Sequence, residues 1–167
     1  LSAIAGAAGR KTGLYTSPHL IDVTERVRVG SRDAPPEALD AALAKVFTAA
    51  DREPQLPLTY FEAITAAALV LFRDSSVDLA VLEVGLGGRL DATNVAPASL
   101  SIVTSIDFDH MAELGNTLPA IAREKAGVFR RGRPALVRAE DPGALAALRE
   151  EAERVGAEIH DAARELR

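Results

Sequence analysis

At 167 residues, with 48% hydrophobic residues and a net charge of −5, the chain can bury a core within one domain, and its acidity argues against nucleic acid or an anionic membrane surface as its main partner. It has no cysteine, which excludes disulfides, zinc-thiolate sites and thiol catalysis. No apolar run approaches the ~20 residues of a membrane span and no signal-peptide pattern is visible, so the expectation is a soluble cytoplasmic protein.

Leu1 to Gly9 reads as the end of a helix begun upstream, alanine-rich from the first residue and closing on Gly9. Lys11 to Ser17 reads as a strand running out into Ser17-Pro18-His19, and Ile21 to Gly30 continues in an extended ERVRVG pattern. Pro35-Pro36 open a helix whose apolar residues are Leu39, Leu43, Val46, Phe47 and Ala50. After a proline-broken loop, Thr59-Tyr60-Phe61-Glu62 has the form of a capping box, with Phe61, Ile64, Ala68, Leu71 and Phe72 as the inner face of the next helix.

Val77 to Glu83 is a near-continuous apolar run, the pattern of a strand buried on both faces, and the glycine-rich loop Gly85-Leu86-Gly87-Gly88 follows it. Further on come a strand over Leu100 to Ile106, a helix from Thr117 to about Ala126 and a short strand over Arg133 to Arg138. Asp141-Pro142 open a last helix to about Val155. Ala157 to His160 begins another strand, and Ala162 to Arg167 is left over, as in a piece of a larger protein. Strands alternating with helices predict an α/β fold with a doubly wound, mostly parallel sheet and helices on both faces.

In such a sheet, ligands bind beyond the carboxyl ends of the strands. Three predicted strands end in chemistry there: Ser17 after the first, Glu83 after the second, His110 after the third. Hydroxyl and carboxylate oxygens suit Mg²⁺, whereas a histidine alone would favour zinc; there is no thiol or HxxxH pair to support zinc. Each residue also has a plainer reading. Glu83 could cap the glycine loop, Asp91 to Asn94 could be an Asx-turn, and His110 could be a solvated histidine with His19 as its competitor. Lys125 falls on the buried stripe of its helix. It could complement the helix dipole and snorkel outward, or be a desolvated lysine that touches phosphate or is modified.

The blocks LYTSPHL, ERVRV, LTYFEA, LEVGLGGRLDATN, SIDFDH, LGNT and REKAG, in this order from Leu14 to Gly127, closely resemble the folylpolyglutamate synthase/dihydrofolate synthase family of the Mur ligase superfamily. The resemblance implies a ligase that uses ATP and Mg²⁺, at two metal sites, to join L-glutamate to dihydropteroate or folate through an acyl phosphate. It further implies metal ligands at Ser17, Glu83 and His110, and pterin contacts at Thr59, Tyr60, Phe61, Glu62, Leu90, Asp91 and Ala92. Catalytic roles fall to His110 and to a carbamylated Lys125, and the parent enzyme is implied to be monomeric and cytoplasmic.

The chain departs from the family's pattern at Asp107, where glycine is usual, and at Asn116, where aspartate is usual. It contains no phosphate-cradling GTNGKGS-type loop, expected just upstream, nor the family's C-terminal glutamate-binding domain. The expectation is a partial ATPase domain over residues 1–167, inactive by itself. A different Mur-type ligase, or a non-catalytic pterin- or metal-binding domain, are the rival readings.

Overall fold

Strand β1 (Thr12–Tyr15) centres the first of two compact units into which the computed structural model divides, Leu1–Gly85 and the residues from Leu86 onward. Residues 1–165 are described; the last two residues of the predicted tail, Leu166 and Arg167, lie outside them. β1 pairs in parallel with β4 (Leu79–Leu82) and antiparallel with β2 (Val27–Val29), which carries β3 (Arg32–Asp33) on its other side. The ERVRV segment is therefore a strand on β1, preceded by a short 3-10 helix over Val23–Arg26.

Successive side chains of a strand point to opposite faces, and β1 uses both. Gly13 meets the ring of Phe72, and the Tyr15 hydroxyl lies 2.9 Å from Thr65 Oγ1, both on α3 (Tyr60–Asp74). Thr12, on the opposite face, accepts a 3.1 Å hydrogen bond from Ser2 of α1 (Ser2–Ala7). Helices thus flank both faces of this sheet. The core gathers Tyr15, Val27, Leu39, Ile64, Leu71 and Phe72.

Helix α2 (Pro36–Ala50) starts on a proline, which lacks the N–H a first-turn position cannot use, and buries Leu39, Ala42, Val46 and Ala50. Phe47, predicted on that face, is 49% exposed, because it stands one position beyond the 3.6-residue stripe. β4 also differs from its prediction. Its sequence reads as a strand covered on both faces, yet Leu79 and Ala80 are exposed and Val81 and Leu82 half-buried. β4 pairs on one side only, with β1, so it is an edge strand of its ladder among the described residues.

The second unit holds three parallel strands in the order β5 (Ser101–Val103), β6 (Pro134–Val137) and β7 (Glu158–Asp161). Helices α5 (Leu118–Ala126) and α6 (Pro142–Val155) supply the other side of a core built on Val103, Ala122, Phe129, Val137 and Leu148. Asp141 caps α6 by accepting from the Ala144 N–H at 2.7 Å, and Gly156 ends it at φ 78°, a left-handed conformation that glycine adopts without strain. Two four-residue helices complete the unit, α4 (Met111–Leu114) and α7 (Ala162–Glu165). The strand ends predicted along one edge fall in two ladders, β1 and β4 in the first unit and β5 in the second. No helix among the described residues is long and apolar enough to cross a membrane.

Candidate functional site

The parallel register of β1 and β4 sets Tyr15 opposite Leu82, so the two chains leave the sheet side by side. The Glu83 N–H continues the ladder to the Tyr15 carbonyl at 2.9 Å, and the Ser17 N–H donates to Glu83 Oε2, also at 2.9 Å. Of the two readings of Glu83, loop cap or strand-end ligand group, the glycine loop is not where its carboxylate goes. That loop is held by Asp91, which accepts the Leu86 N–H at 2.9 Å. Glu83 is exposed, and its second oxygen has no protein partner among the described residues.

Beside this strand end stands the start of α3. Thr59 and Glu62 form the predicted capping box: Glu62 Oε2 accepts from the Thr59 N–H at 2.8 Å and hydroxyl at 2.7 Å, while the Glu62 N–H donates back to Thr59 Oγ1 at 3.3 Å. The Thr59 hydroxyl, then its N–H, hold the Glu62 carboxyl below the usual glutamate range. These two residues build the helix start, and the two between them offer aromatic surface. Tyr60 is 60% exposed. Phe61 is half-buried, its ring centroid 6.1 Å from that of Tyr15, and it rests on Gly85, where any Cβ would collide with the ring.

Arg26, which composition and motif left unremarked, closes the group. It is only 9% exposed, donates from Nε to His19 Nδ1 at 2.8 Å, and lies 5.4 Å from the Tyr60 ring centroid. The turn before it is fixed by Glu25, which accepts the N–H groups of Leu20, Ile21 and Asp22 at 2.9, 3.0 and 2.8 Å. Those donors, Leu20 first, keep the Glu25 carboxyl below its usual range.

In the second unit, Asp91 is the Asx-turn of the sequence's plainer reading. Its Oδ1 accepts from the N–H of Thr93 at 2.9 Å and from its hydroxyl, starting the short 3-10 helix Ala92–Val95. Leu90 projects at 83% exposure and Ala92 is half-buried. Asn94 and Arg130 tie this loop to the end of α5. Asn94 Nδ2 donates to the carbonyls of Arg89 and Gly127 at 3.0 and 3.1 Å, and Arg130 Nη2 donates to Asn94 O and Oδ1 at 2.6 and 2.7 Å. Arg89 adds a bidentate pair with Glu124, on α5, with contacts from 2.9 to 3.2 Å. Gly127 is required at this crossing, since a Cβ there would overlap Arg89.

His110 is exposed and takes φ 44°, the left-handed region sparsely used by residues other than glycine. Its Nε2 lies 3.5 Å from Asp109 Oδ1. Lys125 is half-buried, flanking the buried stripe Ile121, Ala122 and Ala126 instead of lying on it, because Ala126 takes the inner position of the last turn. Its ammonium has no hydrogen-bond or ion-pair partner among the described residues. Of the sequence-predicted groups, Ser17, Glu83 and Thr59 to Glu62 belong to the first unit, and Leu90 to Ala92, His110 and Lys125 to the second. Among the described residues no three His, Asp or Glu side chains form a metal-binding group.

No protein-family model matches the chain. Curated relatives do. It is 49% identical over 137 residues to the dihydrofolate synthase/folylpolyglutamate synthase of Escherichia coli, a match covering 82% of this chain and 32% of that protein. It is 48% identical over 129 residues to the enzyme of the same name from Haemophilus influenzae, covering 77% of this chain and 29% of that one. Among solved structures, Escherichia coli FolC in complex with DHPP and ADP superposes at a TM-score of 0.89 with 44% identity, over 96% of this chain and 37% of that one. A bifunctional folylpolyglutamate synthase/dihydrofolate synthase with Mn, AMPPNP and L-glutamate bound gives 0.87 with 41% identity, over 96% and 38%.

The strands, helices and these superpositions place the fold in the α/β class of the Mur-type ligases. Within that class the chain belongs to the dihydrofolate synthase/folylpolyglutamate synthase family, and it spans about a third of the length of the curated relatives it matches.

Proposed function

We propose that this chain carries the metal- and acid-binding part of an ATP-dependent ligase that joins L-glutamate to dihydropteroate or folate. In the reaction, a carboxylate oxygen of the acid takes the terminal phosphoryl group of ATP and releases ADP. The glutamate amine then attacks the acyl phosphate, an amide forms, and inorganic phosphate leaves with one proton lost from nitrogen. The observation that carries the reading is the Ser17–Glu83 pair, a carboxylate fixed at a strand end through one oxygen with the other left free.

An oxygen of that kind fits Mg²⁺, as does the Ser17 hydroxyl. Bound there, the cation would offset charge on the transferring phosphoryl group. In the second unit, His110 is proposed as a metal ligand. Tyr60 and Phe61 are proposed to hold the flat pterin ring, with Thr59 and Glu62 keeping the helix start in place. In the second unit, Leu90 to Ala92 are proposed as pterin contacts. Lys125 is proposed to act as its carbamate. The residue is half-buried with no protein partner for its ammonium among the described residues, and carbamylation would make it an anion able to hold a second Mg²⁺. The chain has no phosphate-cradling loop of the GxxxxGK[ST] type, so ATP turnover is proposed to require further polypeptide.

Calorimetric titration with pteroate tests the reading. Binding is expected in the micromolar to millimolar range usual for enzyme substrates. Phe61→Ala should weaken it at least several-fold without changing the circular dichroism spectrum. A chain that is folded and does not bind pteroate contradicts the assignment of the acid site.

A further inference from the structure

Arg26 is a largely buried arginine with no anionic partner among the described residues. Its residue is 91% removed from solvent, counting from 9% exposure, yet it forms no ion pair among the described residues. The carboxylates nearest in sequence and along the helix start are already committed. Glu25 accepts three backbone N–H groups, Asp22 accepts from the N–H and hydroxyl of Thr24, and Glu62 accepts from Thr59. Among the described residues, the side-chain acceptor that reaches the guanidinium is His19 Nδ1, a lone pair, and the Tyr60 ring supplies only its π face. Neither carries a negative charge.

The guanidinium's two Nη groups have no protein acceptor among the described residues. They are not sealed off either, because no fully buried side-chain nitrogen or oxygen among the described residues lacks a partner. Four N–H donors are thus held by a packed side chain and open to an incoming molecule, the planar array that matches a carboxylate. The positive end of the 15-residue helix α3, which begins at Tyr60, adds attraction of the same sign.

We propose that Arg26, backed by His19 and by the ring of Tyr60, receives a carboxylate of the acid substrate. This rests on the ligase reading for the identity of the acid, since Tyr60 belongs to the segment assigned to the pterin. The carboxylate could equally come from free glutamate, and the experiment separates the two. Arg26 would then select acids over their neutral esters, by supplying the charge that an ester cannot answer.

The readout is the Arg26 Nε–Hε cross-peak in a proton–nitrogen spectrum, assigned by its loss in Arg26→Met. The probes are pteroate, pteroate methyl ester, L-glutamate and benzoate. The expected result is a shift with pteroate and at least about tenfold weaker binding of the ester, the size of one charged hydrogen bond. Arg26→Met should bind acid and ester alike, and Arg26→Lys should recover part of the preference; thermal melts confirm that both variants are folded. A shift with glutamate or benzoate but no binding of pteroate keeps the anion receptor and overturns the pteroate reading. Pteroate and its ester binding equally to the wild-type chain, with the cross-peak unmoved by every carboxylate, overturns the receptor whether or not the chain is a ligase.

Discussion

The Ser17 N–H donates to the Glu83 carboxylate at 2.9 Å across 66 residues of sequence. The bond ties the ends of two parallel strands and leaves one carboxylate oxygen unused, which separates two roles usually confused at strand ends. One oxygen holds the backbone; the other is available to a ligand. Glu83→Asp should therefore damage both, because a shorter side chain cannot span the gap, while Glu83→Gln should keep the Ser17 bond through its amide oxygen. We expect Glu83→Gln to melt within a few degrees of wild type and Glu83→Asp to melt lower, by differential scanning calorimetry.

The capping box at α3 gives a pH-dependent prediction. Glu62 has a folded pKa below its unfolded value, so its contribution is full above the unfolded carboxylate pKa and is lost as pH falls through the folded one. Glu62→Gln can still accept from the Thr59 N–H but cannot titrate. The acid limb of the stability curve, from urea melts across the carboxylate range, should be shallower in Glu62→Gln than in wild type. Thr59→Ala removes the N-cap and should cost about 1 kcal/mol at neutral pH.

Arg130 should be a stability residue of the second unit. Its guanidinium serves Asn94 O and Oδ1 and the carbonyls of Val128 and Phe129, the latter two at 3.0 and 3.1 Å. Arg130→Met leaves the Asn94 and Phe129 carbonyls without this donor, while Val128 O keeps the Ser101 hydroxyl at 2.7 Å, and should cost roughly 2 kcal/mol, within the range of about 1.5–3 kcal/mol for hydrogen bonds to charged groups. Gly127→Ala should cost on the order of 1–3 kcal/mol by forcing α5 away from Arg89. Chemical denaturation followed by circular dichroism reads both, and a neutral Arg130→Met would show the carbonyls to be solvated instead.

For Lys125, the carbamate assignment predicts a carbonyl carbon resonance after growth or incubation with ¹³C-bicarbonate. It should be absent in Lys125→Arg. A spectrum unchanged between the two would leave the residue a free ammonium.

Much of this was legible because it is local. The Thr59-x-x-Glu62 spacing states a capping box, and Asp141-Pro142 states a helix start, each through bonds made within three residues. Strand ends at Ser17 and Glu83 were legible from the apolar runs before them, but the bond between them depends on register, which no local pattern encodes. Asp91 reads equally as a turn residue and as a substrate contact; its bonds to Leu86 and Thr93 give it the turn, and its part in binding stays a proposal. Arg26 was hidden for a different reason. In an alternating ERVRV segment an arginine reads as a solvated face, and only the fold of the 3-10 turn against His19 and Tyr60 buries it. β4 misled in the opposite direction, since its composition reports covering that its single paired side does not supply.

We propose that Glu83 and Ser17 present a metal site at the ends of β1 and β4. Crystals of the chain soaked in Mn²⁺ test it most directly, through the anomalous difference map of wild type beside Glu83→Gln. A peak is expected within bonding distance of the free Glu83 oxygen and the Ser17 hydroxyl, about 2.0–2.2 Å for a small octahedral cation, and is expected to be lost in the variant. A strong peak that ignores Glu83, or one that survives Glu83→Gln unchanged, would contradict it.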